Sequence, residues 1–331
     1  MLEIPKSPVT GPSVWTGATL AARSEWERQF DVPSLAELDG LLAAAKADTI
    51  TGALVERFPS LAALLSGVHD ELVHGSGVVL LHGFPATRYT DQESAVLYLA
   101  LGRLMGTPIS QNSYGDLLGH VRDEGKRTTV IGNTTGARGY LSNEKLLFHT
   151  DLGDTVGLLC LQKAVEGGIS SVSSSMMVFN EILKIHPEYL PAYFDGFAFR
   201  STEADGAPTE WRLPVYTCHR GLLSCAIRRV AIETTRLNGF PYTDLENAAL
   251  DFFDSTSARP DLRYDMCLEP GDIQFLNNYI TLHSRTNFVD AEDPRLKRHL
   301  LRLWLQFPDG RSFMRCYPTL YDGIPATLPR A

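Results

Sequence analysis

Pro270-Gly-Asp-Ile-Gln-Phe-Leu-Asn-Asn-Tyr-Ile-Thr-Leu-His283 carries the clearest structural signal in the chain. Pro270-Gly-Asp272 is a tight turn. Ile273–Leu276 and Tyr279–His283 are apolar, partly β-branched runs on either side of Asn277-Asn278, and they read as two strands. His283 closes the second run beside Ser284 and Arg285, as a ligand at a cavity mouth would; a core histidine bonded to a backbone carbonyl is the other reading. Further on, Arg298-His-Leu-Leu-Arg-Leu-Trp-Leu305 is a strand by composition. A period of two puts Arg298, Leu300, Arg302 and Trp304 on one face and His299, Leu301, Leu303 and Leu305 on the other. Both faces carry apolar groups, which predicts a strand covered on both sides. A buried arginine is costly alone, so each calls for an anion, from a ligand or from a carboxylate of the chain.

Working outward, short runs punctuated by Gly, Asn and Asp fill the second half of the chain. They predict strands at Thr128–Ile131, Val156–Lys163, Ser171–Ser174, Val215–Cys218, Leu222–Ala226 and Tyr264–Leu268. Helical stretches from Ser175 to about His186 and from Asp244 to Phe253 interrupt them. Gly77–His82 reads as another buried strand, followed by a helix over Thr90–Leu104. From Ala18 to about Leu72 the pattern is helical: Leu35, Leu38, Leu41 and Leu42 recur at helical spacing, Ser34 with Glu37 makes a capping box, and Pro59 opens a second amphipathic segment. Residues 1–15, rich in Pro, Gly and Ser, suggest an extended arm laid over the body. Many short strands with a helical insert predict a mainly β fold, a jelly roll or barrel with helices outside. Their spread predicts one domain over 1–331: arm and helices to residue 74, a core over 75–307 and a tail over 308–331.

The composition, 44% apolar and 21% charged over 331 residues, is that of a soluble protein able to bury a sizeable core. The formal charge of −9 is spread along the chain and argues against nucleic acid as a partner. The N-terminus lacks the basic stretch and apolar run of a secretory signal, and no window has the apolar length of a membrane span. The cysteines at 160, 218, 225, 267 and 316 form no C-x-x-C pair. They read as reduced thiols of a cytoplasmic protein rather than a disulfide framework or a thiolate zinc site. The expected partner is a small-molecule substrate; a homo-oligomer stays open.

Chemistry enters at Phe148-His149-Thr150-Asp151. On an extended segment residues two apart point the same way, so His149 and Asp151 can reach one ion. An imidazole and a carboxylate suit a divalent first-row metal but leave it short of ligands. A third from elsewhere would complete the 2-His-1-carboxylate facial triad, which keeps positions open. A surface or capping role for both residues is the bland alternative.

Together these residues resemble the taurine-dioxygenase (TauD/TfdA) family of Fe(II)- and 2-oxoglutarate-dependent oxygenases. The resemblance rests on His149-Thr-Asp151, Gly167-Gly-Ile-Ser170, Asn277-Asn278 before Leu282-His283, and Arg298 with Arg302. It extends to Gly77–Gly83, Leu101-Gly102 and Met105-Gly106, spanning residues 75 to 307. It implies a double-stranded β-helix (jelly-roll, cupin-like) core with a helical N-terminal segment and a helical insert. It implies His149, Asp151 and His283 as iron ligands. Arg298 matches the arginine that pairs with the distal carboxylate of 2-oxoglutarate, and Ser170 falls where the family commonly has a threonine on that carboxylate. Arg302 falls where some members bind an anionic group of the substrate. The implied cofactors are Fe(II), 2-oxoglutarate as co-substrate, and O₂. The implied reaction is C–H oxidation of a small anionic organic substrate with release of succinate and CO₂. Asp151 argues against a halogenase, which needs a small residue there.

Two other classes bear on the same residues. A His/Asp/His zinc hydrolase explains the triad but not Arg298 and Ser170. A jelly-roll binding module without catalysis leaves three ligands unexplained. Tyr140, Asn143, Gln111, Asn112 and Arg302 are candidates for the pocket wall, and hydroxylation, desaturation and ring formation all remain open.

Overall fold

The computed structural model describes residues 4–47, 54–125, 139–198, 212–237, 239–308 and 322–328. The strands that position the site are, in chain order, Glu27–Gln29 (β1), Val78–His82 (β2), Thr107–Pro108 (β3), Leu118–Val121 (β4), Leu146–His149 (β5), Thr155–Gln162 (β6), Ser170–Ser174 (β7), Tyr264–Met266 (β8), Ile273–Asn277 (β9), Thr281–Arg285 (β10) and His299–Gln306 (β11). One sheet runs β1-β2-β9-β6-β11-β3, with β4 also paired to β11; a second runs β8-β7-β10-β5. The strands on either side of Asn277-Asn278 therefore belong to different sheets, and residues 277–280 carry the chain between them.

Alternation along each strand builds the layers. Val79 and Leu81 of β2, Leu159 of β6, Phe275 of β9 and Leu301 and Leu303 of β11 pack outward against Leu38, Leu65 and Leu97 of the flanking helices Val32–Lys46 (α1), Pro59–His74 (α2) and Asp91–Met105 (α3). Their neighbours Val78, Leu80, Val156, Leu276, Leu300 and Trp304 turn inward and share one apolar cluster with Val172 of β7 and Met266 of β8. The two-sided reading of Arg298–Leu305 thus holds, with Leu301, Leu303 and Leu305 on the helix side. The second sheet is backed by the helical insert, Ser175–Ile185 (α4) and Asp244–Ser257 (α5), through Phe179, Ile182, Phe253 and Leu282. The product is a sheet-rich body with helices on its outer faces.

The extended arm is present where described. The Val9 amide donates to Asn180 Oδ1 (2.8 Å), Ser174 Oγ donates to the Ser13 carbonyl (2.6 Å), and the Trp15 indole donates to the Ser76 carbonyl (2.9 Å). The helical reading of 18–72 needs correction at β1, a polar Glu-Arg-Gln edge strand running parallel to β2. An exposed edge strand three residues long carries no alternation to betray it. The Ser34–Glu37 capping box is also absent. Asp31 caps α1 by accepting from the Ser34 amide (2.9 Å), while Glu37 accepts from the Ser60 (3.0 Å) and Leu61 (2.9 Å) amides. Glu37 thereby caps α2, whose own N-cap, Phe58, has no side-chain acceptor. Helices at Leu190–Asp195 and Arg229–Leu237 went unread. The expected strand Thr128–Ile131 and Cys316 lie outside the described residues. Among those residues the four cysteines are free thiols, and no helix is long and apolar enough to cross a membrane.

Candidate active site

β5 and β10 pair antiparallel with His149 opposite His283, and the ring centroids stand 4.2 Å apart. Asp151 follows just after β5, in a segment held by hydrogen bonds to two partners, Ile227 and Asn278. The Thr150 amide donates to the Ile227 carbonyl (2.9 Å), and the Ile227 amide to Thr150 Oγ1 (3.1 Å). The Asp151 amide donates to Asn278 Oδ1 (3.2 Å), while Asn278 Nδ2 donates to the Leu152 carbonyl (2.9 Å). One potential ligand atom from each of His149, Asp151 and His283 lies within 4.8 Å of the other two. Among the described residues this is the one cluster of its kind.

The electrostatics suit a metal. His149 Nδ1 is 2.7 Å from the Leu147 carbonyl, so it carries the proton and leaves Nε2 as a lone-pair donor. Burial pushes the His149 pKa down and takes that of His283 to about 3, so both rings are neutral near pH 7. Burial pushes Asp151 up, but the Arg302 guanidinium, joined by the imidazoles where acid protonates them, outweighs it and holds the carboxyl at about 2. Two neutral imidazoles and one ionised carboxylate are the donors a facial triad needs.

These groups line a cleft that also contains Ser170, Arg285, Arg298 and Arg302. Arg302 Nη1 lies 3.6 Å from Asp151 Oδ2. The carboxylate expected as the alternative partner for this arginine is thus one of the candidate ligands. Arg302 Nε donates to Gln111 Oε1 (2.8 Å), and Gln111 Nε2 donates back to the Arg302 carbonyl (2.7 Å). The guanidinium carbon is 4.4 Å from the ring centres of both Tyr140 and Trp304. Of the wall candidates, Tyr140 lines the cleft and Gln111 braces Arg302 from behind. Asn112 instead closes a turn with Asp116, and Asn143 offers its carbonyl to the Phe288 amide.

Arg298 stands just before β11, 5% exposed, with its guanidinium 5.0 Å from the Phe288 ring and Nη1 without a hydrogen-bond partner. Burial lowers its pKa to about 10. Ser170 opens β7, and its hydroxyl donates to Gln274 Oε1 (3.0 Å). The double glycine before it has a steric reason. Gly167 and Gly168 both have positive φ, +73° and +67°, and a Cβ on Gly168 would come within 3.1 Å of Arg298 Nε. From the sequence Arg285 stands out only as a polar neighbour of His283. The unused signal was its position two residues on, which turns it toward the same face.

A pocket with two imidazoles and a carboxylate at one point, and buried arginines around it, defines the class of mononuclear non-haem metal oxygenases. The family model described as "Taurine catabolism dioxygenase TauD, TfdA family" matches residues 43–304. FR-33289 synthase of Streptomyces rubellomurinus (strain ATCC 31215) is 36% identical, covering 98% of each chain. Two solved structures share the fold at 16% identity and a TM-score of 0.60. Asparagine oxygenase with Fe(II), (2S,3S)-3-hydroxyasparagine and succinate covers 85% of this chain and 93% of its own. The non-heme iron oxygenase OrfP with Fe, succinate and (3S)-hydroxy-L-Arg covers 92% and 99%. The chain belongs to the TauD/TfdA family, and is an Fe(II)- and 2-oxoglutarate-dependent dioxygenase.

Proposed function

We propose that this dioxygenase oxidises a C–H bond of a small anionic organic substrate at an iron held by His149, Asp151 and His283. The observation that carries the reading is the convergence of three such donors in a cleft that also holds Arg298, a buried cation with an orphaned nitrogen. When bound, Fe(II) and 2-oxoglutarate supply O₂ activation and C–H oxidation, with release of succinate and CO₂. The chain's own residues do the rest. The Leu147 carbonyl fixes the His149 tautomer, and Arg302 keeps Asp151 ionised. Arg298 takes the distal carboxylate of 2-oxoglutarate through its planar fork, with Ser170 as a second donor once its hydroxyl turns from Gln274. Arg302 takes an anionic group of the substrate. Gln111, Tyr140 and Trp304 hold its plane, and Nη2 has no hydrogen bond to the described residues.

We read the two sheets as the halves of a double-stranded β-helix in a single oxygenase domain, which the inward cluster shared by β2, β6, β7, β9 and β11 supports. The test is spectroscopic. Anaerobic Fe(II) with 2-oxoglutarate gives a weak visible charge-transfer band in the parent protein, and a screen of amino and organic acids for substrate-dependent succinate release then finds the substrate. Absence of the band in Fe(II)-loaded, folded protein rejects the proposal.

A further inference from the structure

β10 runs two residues past His283 to Arg285, which is 5% exposed and lines the cleft. Arg285 is in register with Ser170 on β7 and with Leu146 on β5. Directly opposed residues bring their Cβ atoms to about 5 Å, so this guanidinium starts beside the hydroxyl proposed for the co-substrate. Its Nη2 donates to the Ser142 carbonyl at 2.7 Å and to the Glu144 carbonyl, while Nε and Nη1 have no hydrogen-bond partner. The Phe288 ring centre lies 4.8 Å from the Arg285 guanidinium carbon and 5.0 Å from that of Arg298. Among the described residues neither guanidinium has a carboxylate within 4.0 Å. Asp290 bonds the Arg298 amide (2.8 Å) rather than its side chain.

Two buried cations therefore share one ring, and the carboxylates that act on them, Asp290 on both and Asp123 on Arg285, form no ion pair with either. Each is costly to bury alone, and the pair repel. The carbonyls of Ser142 and Glu144 hold Arg285 in place, so its charge cannot swing out to water. A ligand carboxylate in the cleft would supply the paired negative charge that the described residues do not. We propose that Arg285 is a second cation of the co-substrate pocket, selecting with Arg298 a 2-oxo acid that carries a distal carboxylate over one that does not. This rests on the reading of the cleft as the 2-oxoglutarate site.

The test compares 2-oxoglutarate with 2-oxopentanoate, which has the same chain length and a methyl group in place of the distal carboxylate. Each is titrated anaerobically into Fe(II)-loaded protein and followed by the visible band, with the melting shift of the same samples as a second readout. Arg285→Gln weakens 2-oxoglutarate by about ten- to a hundredfold and leaves 2-oxopentanoate within about threefold of the parent. Arg285→Lys, which keeps the charge, preserves the parent's preference within about threefold. An Arg285→Gln protein that keeps the parent's preference, or loses both acids equally, overturns the role of Arg285 while leaving the site reading intact. A parent that binds neither acid overturns the site reading and the inference with it. Should Arg285→Gln not fold, Arg285→Met, which also removes the charge and keeps the length, takes its place: a selective loss of 2-oxoglutarate supports the charge role, and a preserved preference refutes it.

Discussion

Replacing Arg298 by methionine keeps side-chain length and removes the charge, and the structure gives the consequence opposite signs in free and bound protein. In the free protein the guanidinium is 5% exposed and has one orphaned nitrogen; its favourable neighbours are the Phe288 ring and the Asp290 carboxylate, which forms no ion pair with it. Replacing an unpaired buried charge with an apolar group of similar volume is neutral or stabilising, by about 1–4 kcal/mol. The cation–π contact gives back roughly 0.5–2 kcal/mol. Arg298→Met without ligand therefore melts at or slightly above the parent's temperature. In the bound state the same change removes one partner of a buried charge pair, which costs about 2–5 kcal/mol, or roughly 30- to several-thousand-fold in affinity. Two melting curves separate these effects. At 2-oxoglutarate a hundred times the parent's Kd, ligand linkage stabilises the parent by about 2.7 kcal/mol, a rise on the order of 5 °C for a chain of this size. The variant's rise is at most about a third of the parent's at a 30-fold loss and vanishes at a thousandfold loss. The reasoning is refuted by an Arg298→Met protein that shows the parent's ligand-induced rise, or that melts several degrees lower without ligand.

Three further outcomes are expected. His149→Ala, Asp151→Ala and His283→Ala each abolish succinate formation with the circular-dichroism spectrum unchanged, and full turnover by an iron-free, zinc-loaded sample would contradict the iron assignment. Because His283 has its folded pKa depressed to about 3 from 6.5, the unfolded chain binds more protons between those values. The metal-free protein accordingly loses stability as pH falls from 6.5 toward 3, and His283→Gln flattens that slope in melting curves taken across the range; an unaltered slope refutes the burial argument. Arg302→Leu still binds Fe(II) and 2-oxoglutarate but loses substrate-triggered succinate release, whereas a destabilised yet fully active variant would remove Arg302 from the substrate site.

The parts of the site legible in the sequence were those written in local pattern. Alternation along 298–305 gave the two faces of β11, and His149, Asp151, His283, Ser170, Arg298 and Arg302 all line one cleft. What escaped reading depends on partners far along the chain. Asn278 looked like turn punctuation, yet its amide bonds a segment more than 120 residues away. Gln111 was one polar residue among several until its contact with Arg302, 191 residues on, fixed its role. Glu37 was paired with Ser34 because a capping box is a local motif; the acceptor it provides goes to a different helix. Local periodicity encodes which face a residue occupies, and only tertiary packing decides what that face meets.

The Asn277-Asn278 corner has a consequence for how the protein handles its metal. Asn277 Nδ2 donates to the Leu72 carbonyl near the end of α2, and Asn278 grips the segment from Asp151 to Gly153. The position of Asp151, the proposed carboxylate ligand, is thus set by amide hydrogen bonds within the chain, and their cost is met during folding. Unlike a zinc finger, whose binding energy is its folding energy, such a centre can lose and regain its ion without unfolding. Mechanical slack between α2 and the sheets would reach the metal through these two side chains, so packing changes near Leu72 bear on metal affinity from outside the cleft.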